Sequence, residues 1–243
     1  GMLNSNWINA TGLPGENHYS TARDLATLAR ALINEFPEHY SWHSIREFTF
    51  NDITQSNRNR LLWRDPSVDG LKTGHTEEAG YCLVASAKRD DMRIISVVMG
   101  TASEKARADG SQALLNYGFR FFETVQLYRA GDRLTDASVW KGETDQVALG
   151  VASDLFVTIP RGRYDDLEAK LLLQQELMAP LSVGQELGQR LAVGVVALAA
   201  GHRGRGGWFH TPFTGRLRHL PRRARHPVVR RPAPAGRHRP RDF

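Results

Sequence analysis

The densest apolar stretches of the chain form a pair, Tyr81 to Ala87 (YCLVASA) and Met92 to Gly100 (MRIISVVMG), separated by Lys88-Arg89-Asp90-Asp91. Near-continuous apolar runs joined by a charged turn predict a β-hairpin of two largely buried strands. From Ser103 to Phe122 the rhythm lengthens. Ala106, Leu114, Leu115, Phe119 and Phe122 are apolar among Lys105, Arg107, Asp109 and Arg120, which predicts a helix. A second, core-packing helix is predicted from Leu25, Leu28, Ala29, Leu32 and Ile33, with a capping-box-like start at Thr21 to Asp24 and an end at Pro37. Glu47 to Phe50 reads as a strand and Asn51-Asp52 as its turn. Beyond Glu123 the apolar runs are short and broken by turn residues: Leu155 to Pro160, Leu167 to Leu173, and Pro180 to Gln185. That pattern predicts a small all-β module. The fold class is therefore α+β, an antiparallel sheet with helices followed by a β-rich part.

Charge divides the chain. Residues 1–200 carry 20 Lys plus Arg against 25 Asp plus Glu, whereas residues 201–243 carry 12 Arg, no Lys and Asp242 as the one acid. The overall net charge of +6 thus belongs to the tail, and the folded part is mildly acidic. Reading the whole chain as a nucleic-acid binder would average two unlike segments. The tail also holds six Gly, six Pro and five His, without helical or strand periodicity, and is expected to be disordered. Three readings of it stand: an Arg-rich arm for nucleic acid or anionic lipid, an ordinary solvated tail, or translation out of frame from about Gly194. The last is favoured because Arg, Gly, Pro and Ala share GC-rich codons.

The residues with the most chemical content are Lys72-Thr73-Gly74, within Val68-Asp69-Gly70-Leu71-Lys72-Thr73-Gly74-His75-Thr76. K-T-G is one of three motifs that build a penicillin-interacting serine site, the others being S-x-x-K and S-x-N. Neither occurs upstream of Lys72. The string Ser138-Val139-Trp140-Lys141 satisfies S-x-x-K literally but falls in the predicted β module, where Ser and Lys cannot share a helix face. Cys82 is the chain's one cysteine and is expected to be a buried small hydrophobe, not a nucleophile. His18, His39 and His43 have no companions at metal-ligand spacing, so neither metal nor cofactor is expected.

The run VDGLKTGHTEEAGYCLVASA, preceded by NRNRLLW and followed by YGFRFFETV, resembles the serine-type D-alanyl-D-alanine carboxypeptidases, the low-molecular-mass penicillin-binding proteins. SVWKGETDQVALG and VTIPRGR are similar to that family's second domain, so the resemblance runs from Gly1 to the low 190s. A class A β-lactamase shares the K-T-G chemistry, but little chain follows the motif in that single-domain fold.

The resemblance implies a division into three parts. Residues 1–122 would be the C-terminal part of a β-lactamase- or transpeptidase-like penicillin-binding domain, 123–193 a β-rich C-terminal domain, and 194–243 the basic tail. It implies hydrolysis of the terminal D-Ala-D-Ala bond of peptidoglycan stem peptides through a serine acyl-enzyme. Lys72 would place an ammonium beside the nucleophile, Thr73 would donate to the substrate carboxylate, Gly74 would let the peptide lie along the strand, and the His75 backbone N–H would be an oxyanion donor. Arg58, in Asn57-Arg58-Asn59, would be a second anchor for that carboxylate or else a solvated loop residue. The implied partners are a pentapeptide ending in D-Ala-D-Ala, β-lactams and, for the intact protein, a membrane surface; no specific nucleic acid is expected. The implied location is the periplasm, peripheral on the inner membrane.

Gly1-Met2-Leu3-Asn4 shows no signal-peptide pattern, no apolar run reaches about 18 residues, and no amphipathic anchor follows the β part. With the nucleophile motif absent, the resemblance implies a chain that begins downstream of it and is inactive as written. Loss of neighbouring elements is expected to expose apolar surface on the Tyr81–Gly100 hairpin. The competing reading is a non-catalytic interaction module whose Arg-rich tail binds nucleic acid or an anionic surface.

Overall fold

The computed structural model describes residues 1–172, 177–185, 190–195 and 217–219. They fall into two compact units, the first built mainly from Gly1–Leu127 with Phe156–Glu168, the second from Tyr128–Leu155 with the described parts of 169–193 and Leu217–His219. Most of the 194–243 tail, and with it the readings made of that tail, lies outside the described residues.

In the first unit, helix α1 (Ala22–Glu35) starts at Thr21, whose hydroxyl accepts the Asp24 N–H at 3.2 Å. The predicted capping box is only half made. The Asp24 carboxylate does not reach back to the cap but accepts Asn4 N–H at 2.8 Å and Ser5 Oγ–H at 2.7 Å, tying the preceding segment to the helix and leaving Asp24 buried. Pro37 does not simply terminate this helix. It occupies the first turn of α2 (Pro37–Ser41), where its missing N–H costs nothing. A 3-10 turn at Trp42–Ser44 leads into the hairpin β1 (Glu47–Phe50) and β2 (Ile53–Ser56), closed by Asn51 and Asp52, both at positive φ. Two central residues in that conformation suit the twist of a two-residue hairpin.

After α3 (Leu61–Arg64) come β3 (Val68–Thr76), β4 (Gly80–Arg89) and β5 (Met92–Thr101), an antiparallel sheet in that order. Helix α4 (Glu104–Phe121), capped by Ser103 through its bond from Ala106 N–H, lies on β4 and β5. Leu61, Leu62, Val68, Leu83, Ala85, Ala87, Ala108 and Leu115 form the core of this unit.

Three details differ from the sequence reading. The inward face of α4 is Arg107, Ala108, Ser111 and Leu115, while Leu114 is exposed. Small residues let the helix sit close to the sheet: a Cβ on Gly118 would meet Ile94 Cδ1 at 2.4 Å. Cys82 is half-buried, its thiol donating to Ala79 O at 3.3 Å. Met99 is the one large hydrophobic exposed in the β4–β5 hairpin, whereas Phe48, Phe50 and Ile53 of the β1–β2 hairpin and Leu3, Trp7, Ile8, Leu13 and Tyr19 of the N-terminal segment are open to solvent.

Strand β6 (Phe122–Tyr128) continues directly from α4. It is followed by β7 (Arg133–Trp140), β8 (Gln146–Val151), β9 (Leu155–Pro160), β10 (Leu167–Leu172), β11 (Leu177–Met178), β12 (Arg190–Val195) and β13 (Leu217–His219). β6 pairs with β9 and β10 with β12. The second unit contains a four-stranded sheet ordered β11-β7-β8-β13, packed around Ala137, Leu149 and Leu177. Pro180–Gln185, one of the short apolar runs of the predicted β module, is a turn, because Gln185 N–H bonds Ser182 O while Gln185 Oε1 accepts Ser182 N–H. Ser138 lies in β7 and Lys141 in the following turn at positive φ, so the literal S-x-x-K has no helical geometry.

Candidate active site

Antiparallel pairing fixes Lys72, Thr73, Gly74 and His75 on β3 opposite Val84, Leu83, Cys82 and Tyr81 of β4. β3 is the outer strand of the sheet among the described residues, so one side of its backbone faces away from β4. Lys72, Gly74 and His75 are exposed and Thr73 is half-buried.

Two glycines of this strand differ sharply. A Cβ at Gly70 would sit 2.8 Å from the Tyr40 hydroxyl, which makes glycine a packing requirement there. A Cβ at Gly74 would touch only Cys82 Cβ, at 3.9 Å, an ordinary contact. The fold itself leaves the space above Gly74 open.

The base of β3 is held by a polar network. Tyr40 donates its hydroxyl to Asp69 Oδ1 at 2.5 Å, and the Arg93 guanidinium forks onto both Asp69 oxygens at 2.7 and 2.8 Å while also donating to Ser86 Oγ. Burial, reinforced by the Asp69 hydrogen bond, pushes the Tyr40 phenol well above its ordinary value. The Asp69 hydrogen bonds raise the Arg93 pKa against the opposing effect of burial. Nearby, burial would raise Asp65, but hydrogen bonds from Ser67 and Gln112 and the charge of Arg89 outweigh it and hold the carboxyl at about 2.

Arg58 lies between two fixed neighbours. Asn59 is buried and donates Nδ2–H to Gly70 O at 2.9 Å, while Asn57 donates Nδ2–H to Ile45 O at 3.0 Å. The arginine between them projects into solvent and acts electrostatically on Lys72. Lys72 donates to the Thr73 carbonyl. Partial burial of its ammonium first, then the charges of Arg58 and Arg107, lower its pKa.

Arg107 is the residue that the sequence reading missed. In sequence it reads as a polar helix position, yet it is 3% exposed, donates Nη1–H to Gly74 O at 3.2 Å, and lies over the Tyr81 ring. Its spacing with Ser111 and Leu115, four residues apart each time, was the available signal. Tyr81 in turn stacks on His75, ring centroids 3.9 Å apart. Arg107 contacts K-T-G at Gly74 O, the charges of Arg58 and Arg107 act on Lys72, and among the described residues no carboxylate forms an ion pair with Arg58 or Lys72. Such an edge suits a ligand with a free carboxylate and an extended backbone. Among the described residues no three His, Cys, Asp or Glu side chains cluster as metal ligands. The shallow groove between Trp42, Ile45, Phe48 and Asn57 lies at the β1–β2 hairpin, apart from K-T-G.

Comparison with known proteins gives a consistent picture. The family described as D-alanyl-D-alanine carboxypeptidase matches residues 1–103, and the C-terminal domain of penicillin-binding protein 5 matches residues 122–190. The chain is 48% identical over 190 residues to the D-alanyl-D-alanine carboxypeptidase DacA of Escherichia coli K12, a match covering 77% of this chain and 47% of that protein. It is 47% identical over 190 residues to DacC of the same organism, covering 77% of this chain and 48% of DacC. Its fold is similar to the crystal structure of penicillin-binding protein 5 from Haemophilus influenzae, with a TM-score of 0.72 and 38% identity over 90% of this chain and 61% of that one. The chain spans about half the length of the curated relatives it matches.

Proposed function

Because the chain belongs to the D-alanyl-D-alanine carboxypeptidase family, we propose that its K-T-G edge serves the hydrolysis of the terminal D-Ala-D-Ala bond of peptidoglycan stem peptides. In that reaction a serine attacks the penultimate carbonyl, D-Ala leaves, and water cleaves the acyl-enzyme ester. Thr73 and Arg58 hold the terminal carboxylate. Lys72 favours the anion and assists proton transfer, its lowered pKa suiting that task. The open space at Gly74 lets the peptide lie against β3, and the His75 N–H donates to the oxyanion. The observation that carries this reading is the grouping of Arg58, Lys72 and Arg107 at an exposed strand edge, with no ion-paired carboxylate on Arg58 or Lys72 among the described residues.

β-Lactams would reach the same edge as substrate mimics. A periplasmic location, peripheral on the inner membrane, fits a peptidoglycan substrate. This chain by itself binds without acylating, since its one S-x-x-K string lies on a strand and turn. Incubation with fluorescent penicillin should leave no covalent band, whereas excess N-acetyl-D-Ala-D-Ala should shift the amide resonances of Lys72 to His75. A covalent band would refute the first expectation, and unshifted resonances the second.

A further inference from the structure

The geometry points to Arg107 as a positioning residue that aims and polarises the His75 N–H by holding the carbonyl of the same peptide group from inside the fold. This rests on the reading of the His75 N–H as the oxyanion donor. The Gly74 carbonyl and the His75 N–H belong to one peptide unit, and that unit is trans, since the cis bonds of the described chain are Gly70-Leu71 and Ala179-Pro180. In a trans peptide the two groups point in opposite directions. A donor that fixes the carbonyl therefore fixes where the N–H is aimed.

Arg107 is that donor, reaching Gly74 O at 3.2 Å from a side chain that is 3% exposed. Its bond is charge-assisted, and drawing electron density toward the carbonyl oxygen makes the attached N–H a stronger donor. The arginine is itself fixed by its surroundings. Its guanidinium lies 5.5 Å from the Tyr81 ring centroid, and Nη2 is 3.5 Å from Glu104 Oε1. Beyond that ion pair Nη2 has no hydrogen-bond partner among the described residues, so Gly74 O is the one hydrogen-bond acceptor of the guanidinium among them. Tyr81 also stacks on His75, so helix α4 grips the residue through both its backbone and its ring. A buried cation facing the site explains, too, why Arg107 is among the charges that lower the Lys72 pKa.

The test uses the full chain, isotope-labelled for NMR. Replacing Arg107→Met should shift the Gly74 carbonyl carbon and the His75 amide more than any amide of β1 or β2, and raise the Lys72 pKa. Arg107→Lys, which keeps a charge and a donor but not the fork, should produce the same shifts at smaller size. Leu83 and Ala85 resonances report whether the core has survived. Should the Met variant not fold, a through-hydrogen-bond coupling from Arg107 Nη1 to the Gly74 carbonyl carbon in the unmodified chain decides the matter, and its absence overturns the proposal.

Titration with N-acetyl-D-Ala-D-Ala separates this proposal from the one it rests on. If the unmodified chain does not bind the dipeptide, the substrate reading fails while the Gly74 and His75 shifts still stand or fall alone. If it binds, the Met variant should bind several-fold more weakly. Equal binding with an unmoved His75 amide would overturn the role given to Arg107.

Discussion

Asn59 donates its side-chain amide to the Gly70 carbonyl at 2.9 Å, joining the loop that carries Arg58 to the strand that carries Lys72. The same side chain accepts the Leu61 N–H at 3.2 Å. Asn59→Ala would leave both backbone groups buried without partners, at a cost of about 2 to 4 kcal/mol. Urea unfolding should show the midpoint falling accordingly, and any folded variant should bind D-Ala-D-Ala peptides more weakly because Arg58 is no longer held in place.

The two glycines of β3 predict opposite phenotypes. Gly70→Ala drives a methyl group into the Tyr40 hydroxyl at 2.8 Å and should lower the melting temperature by several degrees. Gly74→Ala meets nothing closer than 3.9 Å and should leave the melt unchanged or slightly raised. Its cost should appear in peptide affinity instead, as a loss of roughly tenfold when the methyl group holds the ligand off the strand.

Asp65 gives a pH dependence with a definite sign. Its folded pKa is about 2 against an ordinary value of 3.8, so the unfolded chain binds the proton more readily. The stabilisation is present above about pH 4 and is lost as pH falls toward 2; it amounts to about 2 kcal/mol. The stability gap between the unmodified chain and Asp65→Asn should therefore be wide at pH 6 and narrow at pH 2.5, as measured by urea titration.

Lys72 should titrate below an ordinary lysine, and Arg58→Gln should return its pKa only part of the way. Burial is the larger cause and remains after the arginine is removed. The Lys72 Cε resonance followed across pH measures both effects; a pKa unmoved by the substitution would separate Arg58 from the site.

Much of the first unit was legible because its signals are local. The β4–β5 hairpin, α1, α4 and the Asn51-Asp52 turn each announce themselves within a few residues, through apolar runs, caps and positive-φ side chains. K-T-G was legible as chemistry. What escaped was set by tertiary packing. Arg107 reads as a solvated helix position until α4 is laid on β4, and Asp24 reads as half of a capping box until Asn4 and Ser5 arrive to use its carboxylate. Pro180 to Gln185 adds Leu181 and Val183 to the apolar pattern of the β module, but Pro180, Ser182 and Gly184 are turn formers and the Gln185 side chain closes a turn there.

Recognition of a free terminal carboxylate is the property on which the proposed role of the K-T-G edge depends. Calorimetric titration of the chain with N-acetyl-D-Ala-D-Ala, and in parallel with its C-terminal amide, tests this directly. The predicted result is binding of the acid that weakens at least tenfold for the amide and, for the acid, on Thr73→Val or Arg58→Gln. Equal affinity for acid and amide, or binding of the acid that survives both substitutions, would contradict it.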